Sequence, residues 1–177
     1  MKFVDRIVGA LAALGVALAA IALIASMFLI AYSVVMRYFL NSPVTWVDEL
    51  VGYLLVASVM LAAADALRQG EHIAVDIVTE RLGARGKRIT ALGGLVAVTL
   101  AAALLTVEGA DMVGFSRMVG LLSNGTMAVP MWIPQIAVPI GAALMGAAAV
   151  VAFFLALRGE AAPPPTDPAA HPPVGVE

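Results

Sequence analysis

The sequence contains no cysteine and little charge. Of its 177 residues 12% are charged and 62% are hydrophobic, and the mean hydropathy is +1.01. Soluble domains usually carry about 25% charged residues, so this composition excludes an ordinary water-soluble globule. Without cysteine, disulfides and thiolate metal ligands are also excluded. The net charge of −2 does not indicate a nucleic-acid partner, and none is expected.

What the chain does have is four long apolar stretches. About 20 apolar residues are enough to cross a bilayer as a helix. Backbone groups in lipid must be paired within the element, which leaves helices or a closed barrel, and these runs are too long and unbroken for barrel strands. We therefore predict an all-α integral membrane protein in contact with the lipid bilayer. Its four-helix membrane domain covers residues 1–160, with transmembrane helices at about 7–35, 46–67, 89–107 and 131–157.

Three further segments are read from local pattern. The apolar run after Lys2 and Arg6 is longer than the core of a signal peptide, so we interpret it as a retained first span. Apolar residues recur at helical spacing over 73–82, which predicts a short amphipathic helix at the cytoplasmic surface of the membrane. The proline-rich residues 161–177 predict a disordered cytoplasmic tail. In the fourth span, Pro134 and Pro139 predict a kink.

Basic residues predict the orientation in the membrane. Four spans place both termini on one side, and that side receives eight basic residues against two on the other. Because basic residues are retained on the cytoplasmic side, we predict cytoplasmic N- and C-termini. The eight are Lys2, Arg6, Arg68, Arg81, Arg85, Lys87, Arg88 and Arg158, and the two are Arg37 and Arg117.

A polar corner is predicted at the outer end of the first two spans. Asp48 and Glu49 open span two, where carboxylates are favoured by the helix dipole, and Arg37 ends span one at a similar depth. An ion pair between the two helices is therefore expected. Two interpretations remain open, a clamp that holds the helix hairpin together and a contact for a partner subunit. Thr45 and Asp48 also fit a helix-capping pair.

Polar residues near the other end of span two are fewer. Asp65 is costly if it faces lipid, so it either belongs to an ion path or pairs with Arg68 at the cytoplasmic interface, and we favour the pair. His72 is the only histidine outside the tail, and no span holds a histidine that could bind haem. We expect no metal and no cofactor. No nucleophile–base set or phosphate loop is present, so we do not expect an enzyme.

The residues around span two occur in an order typical of one family. The chain resembles, over about residues 1–157, the small membrane subunit of the TRAP (tripartite ATP-independent periplasmic) transporters, the DctQ-like family. Pro130-x-Trp132 and Pro139-x-Gly141 in the fourth span add to the resemblance. The residues that carry it around span two are Arg37, Tyr38, Asn41, Pro43, Trp46, Asp48 and Glu49, followed by Gly70, Glu71, His72 and Asp76.

The resemblance implies a non-catalytic subunit of a secondary transporter in a bacterial inner membrane. In such systems a periplasmic binding protein captures an organic acid, and a large membrane subunit carries it inward by symport with sodium ions or protons. The small subunit would brace the large one and help to dock the binding protein, with the residues above as partner interface or structural clamp. Two alternatives are a membrane anchor subunit of a respiratory complex and a small stand-alone carrier.

Overall fold

A computed structural model describes residues 2–69 and 84–158 of the chain, and most of these residues lie in helices. Four stretches of helix are long and apolar enough to cross a membrane, which confirms the prediction of an all-α membrane protein with four spans. The last span is built from two consecutive helices. The helices are α1 (Lys2–Tyr38), α2 (Trp46–Arg68), α3 (Ala84–Val119), α4 (Trp132–Gln135) and α5 (Ala137–Arg158).

Helix α3 continues well beyond the end that hydropathy predicts. The expected span stops at about residue 107, but the helix runs through Glu108 and Asp111 to Val119. It ends at Gly120, whose φ of +67° is left-handed, and the amide of Leu121 donates to the carbonyl of Ser116 at 3.0 Å. This is the usual glycine termination of a helix. Hydropathy locates the apolar part of a helix, whereas the backbone stop decides where the helix ends.

The helix of the fourth span is interrupted near its two prolines. Helix α4 stops at Gln135 and α5 starts at Ala137, while Ile136 between them keeps helical angles of φ −57° and ψ −30°. Pro139 has no N–H to donate back to the carbonyl four residues earlier, so one hydrogen bond of the helix is missing. The hydrogen-bond ladder of the helix therefore has a break at this point, and the kink predicted there stays a prediction.

The helices pack in the spatial order α1, α2, α5, α3, through small residues. A Cβ on Gly15 would lie 2.6 Å from the carbonyl oxygen of Leu61, and a Cβ on Gly141 would collide with the backbone of Met60. Glycine thus lets α1 and α5 approach α2 from two sides, a common device in membrane helix packing. Alanines fill much of the interior near one end, among them Ala12, Ala64, Ala148 and Ala149.

Helix α3 lies at the edge of this arrangement. In the most apolar stretch of α3 only 6% of the residues are buried inside the chain, against 22 to 28% in the corresponding stretches of the other three spans. Several sequence predictions fall outside the described residues: the amphipathic helix at 73–82, the tail at 161–177, and the site residues Gly70, Glu71, His72 and Asp76.

Candidate functional site: the polar corners of the helix bundle

The carboxylate of Glu49 joins α2 to the connection between α3 and α4. The hydroxyl of Tyr53, one turn later on α2, donates to Glu49 Oε1 at 2.8 Å. From the connection, the backbone N–H of Met127 donates to Oε2 at 3.4 Å, and the hydroxyl of Ser123 supplies a further hydrogen bond. A side chain on Gly125 would collide with this carboxylate, so the glycine makes room for the contact.

The connection is a small folded unit, which we call the 120–131 loop. The amide of Ser123 donates to the carbonyl of Val129 at 2.8 Å, and the amide of Met131 donates to that of Leu121 at 2.9 Å. The Ser123 hydroxyl is buried and accepts a bond from the amide of Val129 at 3.2 Å. The loop therefore keeps its own shape, and Glu49 attaches that shape to α2. Sequence reasoning missed this partner of Glu49, since nothing local to residue 49 indicates a loop more than 70 residues away.

Arg37 and Asp48 form the ion pair expected between α1 and α2. Arg37 Nη2 lies 3.7 Å from Asp48 Oδ2, and the two side chains are 50% and 69% exposed. Adjacent acids on a helix point in different directions, so Asp48 faces α1 while Glu49 faces the 120–131 loop. Of the three charged residues predicted to lie together, Arg37 and Asp48 pair with each other, whereas Glu49 contacts the 120–131 loop. Pairs this exposed are worth little on their own.

The predicted cap at the start of α2 is wrong. Thr45 makes no side-chain capping bond, because its backbone is already helical at φ −77° and ψ −25° instead of extended as a cap requires. Its hydroxyl lies 3.2 Å from that of Thr126 instead. This contact is a second link between α2 and the 120–131 loop.

The remaining predicted residues of the outer corner shape the turn between α1 and α2. Asn41 adopts a left-handed φ of +48°, and the amide of Ser42 donates to the carbonyl of Met36 at 3.0 Å, which ends α1. Pro43 follows within the turn, outside any helix. Tyr38 and Trp46 are both exposed at this end, where aromatic rings suit the membrane interface.

The opposite end of α2 is fixed by a different pair from the one predicted. Arg68 Nη1 lies 3.0 Å from Asp5 Oδ1 and also donates to the Asp5 carbonyl at 3.4 Å. Asp65 does not pair with Arg68; its carboxylate accepts from the Gln69 side chain. Gly9 leaves room for the guanidinium, since a Cβ there would lie 2.9 Å from Arg68 Nη2. Asp5, in the first turn of α1, is the partner of Arg68 that the sequence analysis did not identify.

The interior of the described bundle offers little chemistry. Among the described residues, the polar side chains that are buried as a whole are all serines, and Gln135 Oε1 is a buried oxygen without a hydrogen-bond partner. In the described parts no three acidic or histidine side chains come together to hold a metal ion. Two of the serines donate to carbonyls four residues earlier on their own helices, Ser26 at 2.8 Å and Ser58 at 2.7 Å. Serine hydroxyls bonded this way are satisfied and unsuited to acid–base work. The five serines are Ser26, Ser33, Ser58, Ser116 and Ser123.

Comparison with known proteins gives the family. The model of the DctQ component of the tripartite ATP-independent periplasmic transporters matches residues 26–159. The chain is also similar to the C4-dicarboxylate TRAP transporter small permease protein DctQ of Rhodobacter capsulatus, with 32% identity over 116 residues. That match covers 65% of this chain and 51% of the relative, so it spans about half of the relative's length. The chain therefore belongs to the DctQ component family of TRAP transporters, as a multi-pass inner-membrane transport component and not an enzyme.

Proposed function

We propose that this chain is a brace for the large membrane subunit of its transporter and helps to dock a periplasmic binding protein. The transporter would take up an organic acid, driven by an ion gradient. The Rhodobacter relative is named for C4-dicarboxylates, which makes a carboxylate the substrate class to test first. In this proposal both termini are cytoplasmic, as the basic residues predict.

The observation that supports a brace most directly is the nature of the buried polar groups. A secondary carrier needs ionisable or convergent polar groups near the middle of the membrane to bind its substrate and its coupling ion. In the described spans the polar side chains that are buried as a whole are serines, two of which bond within their own helix. One further polar atom of the described residues, Gln135 Oε1, is buried without a hydrogen-bond partner. Beyond the first turns of the described helices, Glu108 and Asp111 are exposed on α3, and Asp65 accepts a bond from Gln69 near the end of α2. Substrate and ion would therefore be handled by the partner.

The surface of the bundle supports a partner in the membrane. Large apolar side chains cover the outside of α1 and α3, including Phe28 and Leu104, which are 65% and 66% exposed. In a bilayer such faces contact either lipid tails or another helix. A large subunit could cover part of these faces without burying any polar group. Helices in lipid associate mainly by van der Waals packing of apolar and small residues.

The outer corner is the proposed docking region. There the Arg37–Asp48 pair fixes α1 to α2, and Glu49 fixes α2 to the 120–131 loop, so three parts of the chain are held in one arrangement. Exposed Tyr38, Trp46 and the loop would face the binding protein or the large subunit. The Arg68–Asp5 pair at the opposite end of α2, which we call the inner corner, would anchor the cytoplasmic side. The predicted interface residues that follow α2 in the sequence would contribute to this anchor: Gly70, Glu71, His72 and Asp76.

The proposal is tested by reversing the charge at Glu49. Glu49→Lys places an ammonium where the hydroxyls of Tyr53 and Ser123 and the amide of Met127 donate, so the 120–131 loop should detach from α2. We expect reduced co-purification with the large subunit and uptake reduced to the same degree. Asp111→Lys is the matched control, since it makes the same charge change on the exposed outer part of α3. Unchanged assembly and uptake in Glu49→Lys would contradict the proposal, as would transport by this chain reconstituted alone.

A further inference from the structure

A shallow apolar groove runs along the surface between α3 and α5. Its main part has a volume of about 520 Å³, and it is lined by small residues together with two threonines and four valines, one of which is Val8 of α1. A second hollow of about 200 Å³ shares Thr99 and Val150 with the first and continues it to Phe153 and Phe154. The small residues of the main part are Ala102, Ala103, Ala143, Gly146 and Ala147.

The length of the groove matches one leaflet of a bilayer. Along α3 it extends from Val96 to Val107, which at the rise of an α-helix is about 17 Å. The hydrocarbon core of a membrane is about 30 Å thick, so each leaflet contributes about half of that. A single acyl chain thus has roughly the length of the groove.

The groove contains no free polar group that would call for a polar ligand. Its only hydroxyls belong to Thr99 and Thr106, which donate to the carbonyls of Leu95 and Ala102 on their own helix, each at 2.7 Å. Both are therefore satisfied. Its occupant must be apolar along its whole length, which excludes the transported acid and its coupling ion.

The sequence places basic residues at one end of each of the two helices that form the groove. In the stretches 84–107 and 137–158 the sequence has four basic residues and no acidic one. Arg88 precedes Val96 by eight residues, or about 12 Å of helix, and Arg158 follows Phe154 by four residues, or about 6 Å. The four are Arg85, Lys87 and Arg88 at the start of α3 and Arg158 at the end of α5.

We propose that the groove between α3 and α5 binds an anionic phospholipid. One acyl chain lies in the groove, and the phosphate group is held at the basic end of the two helices. Basic residues beside a membrane attract anionic headgroups, and a lipid supplies the negative charge and the narrow apolar chain in one molecule. A helix of another subunit is 10 to 12 Å wide and carries no phosphate, so it fits the groove and the charge less well.

The test uses the full-length chain in nanodiscs, both alone and assembled with its large subunit. The probes are phosphatidylglycerol and phosphatidylcholine that carry the same photoreactive group on one acyl chain. Cross-linked peptides are identified by mass spectrometry. We expect residues 96–107 and 143–154 to be labelled roughly tenfold more by phosphatidylglycerol than by phosphatidylcholine. This preference should be present in both preparations.

Two sets of variants test separately the binding of the acyl chain in the groove and the attraction of the anionic headgroup by the basic residues. Ala103→Phe with Ala147→Phe fills the groove from exposed positions, so folding is preserved while labelling falls by roughly tenfold. Leu104→Phe is the control, because Leu104 is 66% exposed on the same helix outside the groove. Replacing Arg85, Lys87 and Arg88 with glutamine should keep the labelling by phosphatidylcholine and remove most of the preference for phosphatidylglycerol.

Three results would overturn the proposal. Equal labelling by the two lipids in the unaltered chain would remove the role of charge. Equal labelling of the groove in the filled variant and in Leu104→Phe would show that the groove holds no chain. Loss of labelling on assembly with the large subunit would assign the groove to a partner helix.

Discussion

The middle of this bundle and its two ends are held together by different forces. In the middle, α1 and α5 approach α2 so closely that Gly15 and Gly141 lie against its backbone carbonyls. At the ends, polar side chains join α2 to α1 and to the 120–131 loop: Arg37 with Asp48, Arg68 with Asp5, and Glu49 with the loop. Close packing of helix backbones holds the middle together, whereas the strength of the contacts at the ends depends on charge and on burial.

The difference predicts how each part responds to substitution. A side chain added at Gly15 or Gly141 would collide with the backbone of α2, and rotating that side chain cannot relieve the collision. The middle should therefore tolerate no added volume. A polar contact loses its partner without a clash, and its cost depends on how much water reaches the groups. Effects should therefore decrease from the middle to the half-buried inner corner and then to the exposed outer pair.

The largest effect is expected at Gly141. Gly141→Leu drives a side chain into the backbone of Met60, so α5 must move away from α2. We expect a loss of about 3 kcal/mol or more in stability, seen as a lower melting temperature and aggregation in size-exclusion chromatography after heating. Gly93→Leu is the control, because a Cβ at Gly93 meets nothing within 4 Å. Equal behaviour of the two variants would mean that close packing does not hold the middle.

The inner corner should come next. Arg68→Gln removes the guanidinium from Asp5 at a site where the Arg68 side chain is only 25% exposed. We expect a cost of about 1 to 3 kcal/mol in thermal or denaturant unfolding. Asp5→Asn should cost less, and adding it to Arg68→Gln should cost little more, since both changes break one contact. Fully additive losses would show that the two residues act independently.

The attachment of the 120–131 loop should show in dynamics more than in global stability. Glu49→Ala removes the carboxylate on α2 that accepts hydrogen bonds from the Tyr53 hydroxyl and from the Met127 amide of the loop. We expect severalfold faster hydrogen–deuterium exchange within the loop and little change in the four spans. Asp48→Ala provides the comparison, because Asp48 pairs with Arg37 instead of the loop. If both variants exchange alike, Glu49 does not hold the loop.

The smallest effect is expected at the outer ion pair. Asp48→Asn should reduce stability by less than about 1 kcal/mol, because Arg37 and Asp48 are half or more exposed and 3.7 Å apart. The difference from the unaltered chain should shrink further as salt is added, since exposed charges are screened. A large or salt-independent loss in melting temperature would indicate a buried role for this pair.

The sequence by itself determined the number of spans and the helix ends at which basic residues occur. It also determined that Arg37 and Asp48 would meet, because they lie on either side of one short turn. These features depend on hydropathy, composition and neighbours along the chain. Such features are local, and local rules are enough to predict them.

Only the tertiary structure decided which side chains meet across the bundle. It paired Arg68 with Asp5 instead of Asp65, turned Thr45 to Thr126, and placed the 120–131 loop on Glu49. Each contact joins residues more than 60 positions apart, and glycines make room for two of them, Gly9 for Arg68 and Gly125 for Glu49. Whether such residues meet is set by packing between helices, which no local pattern records.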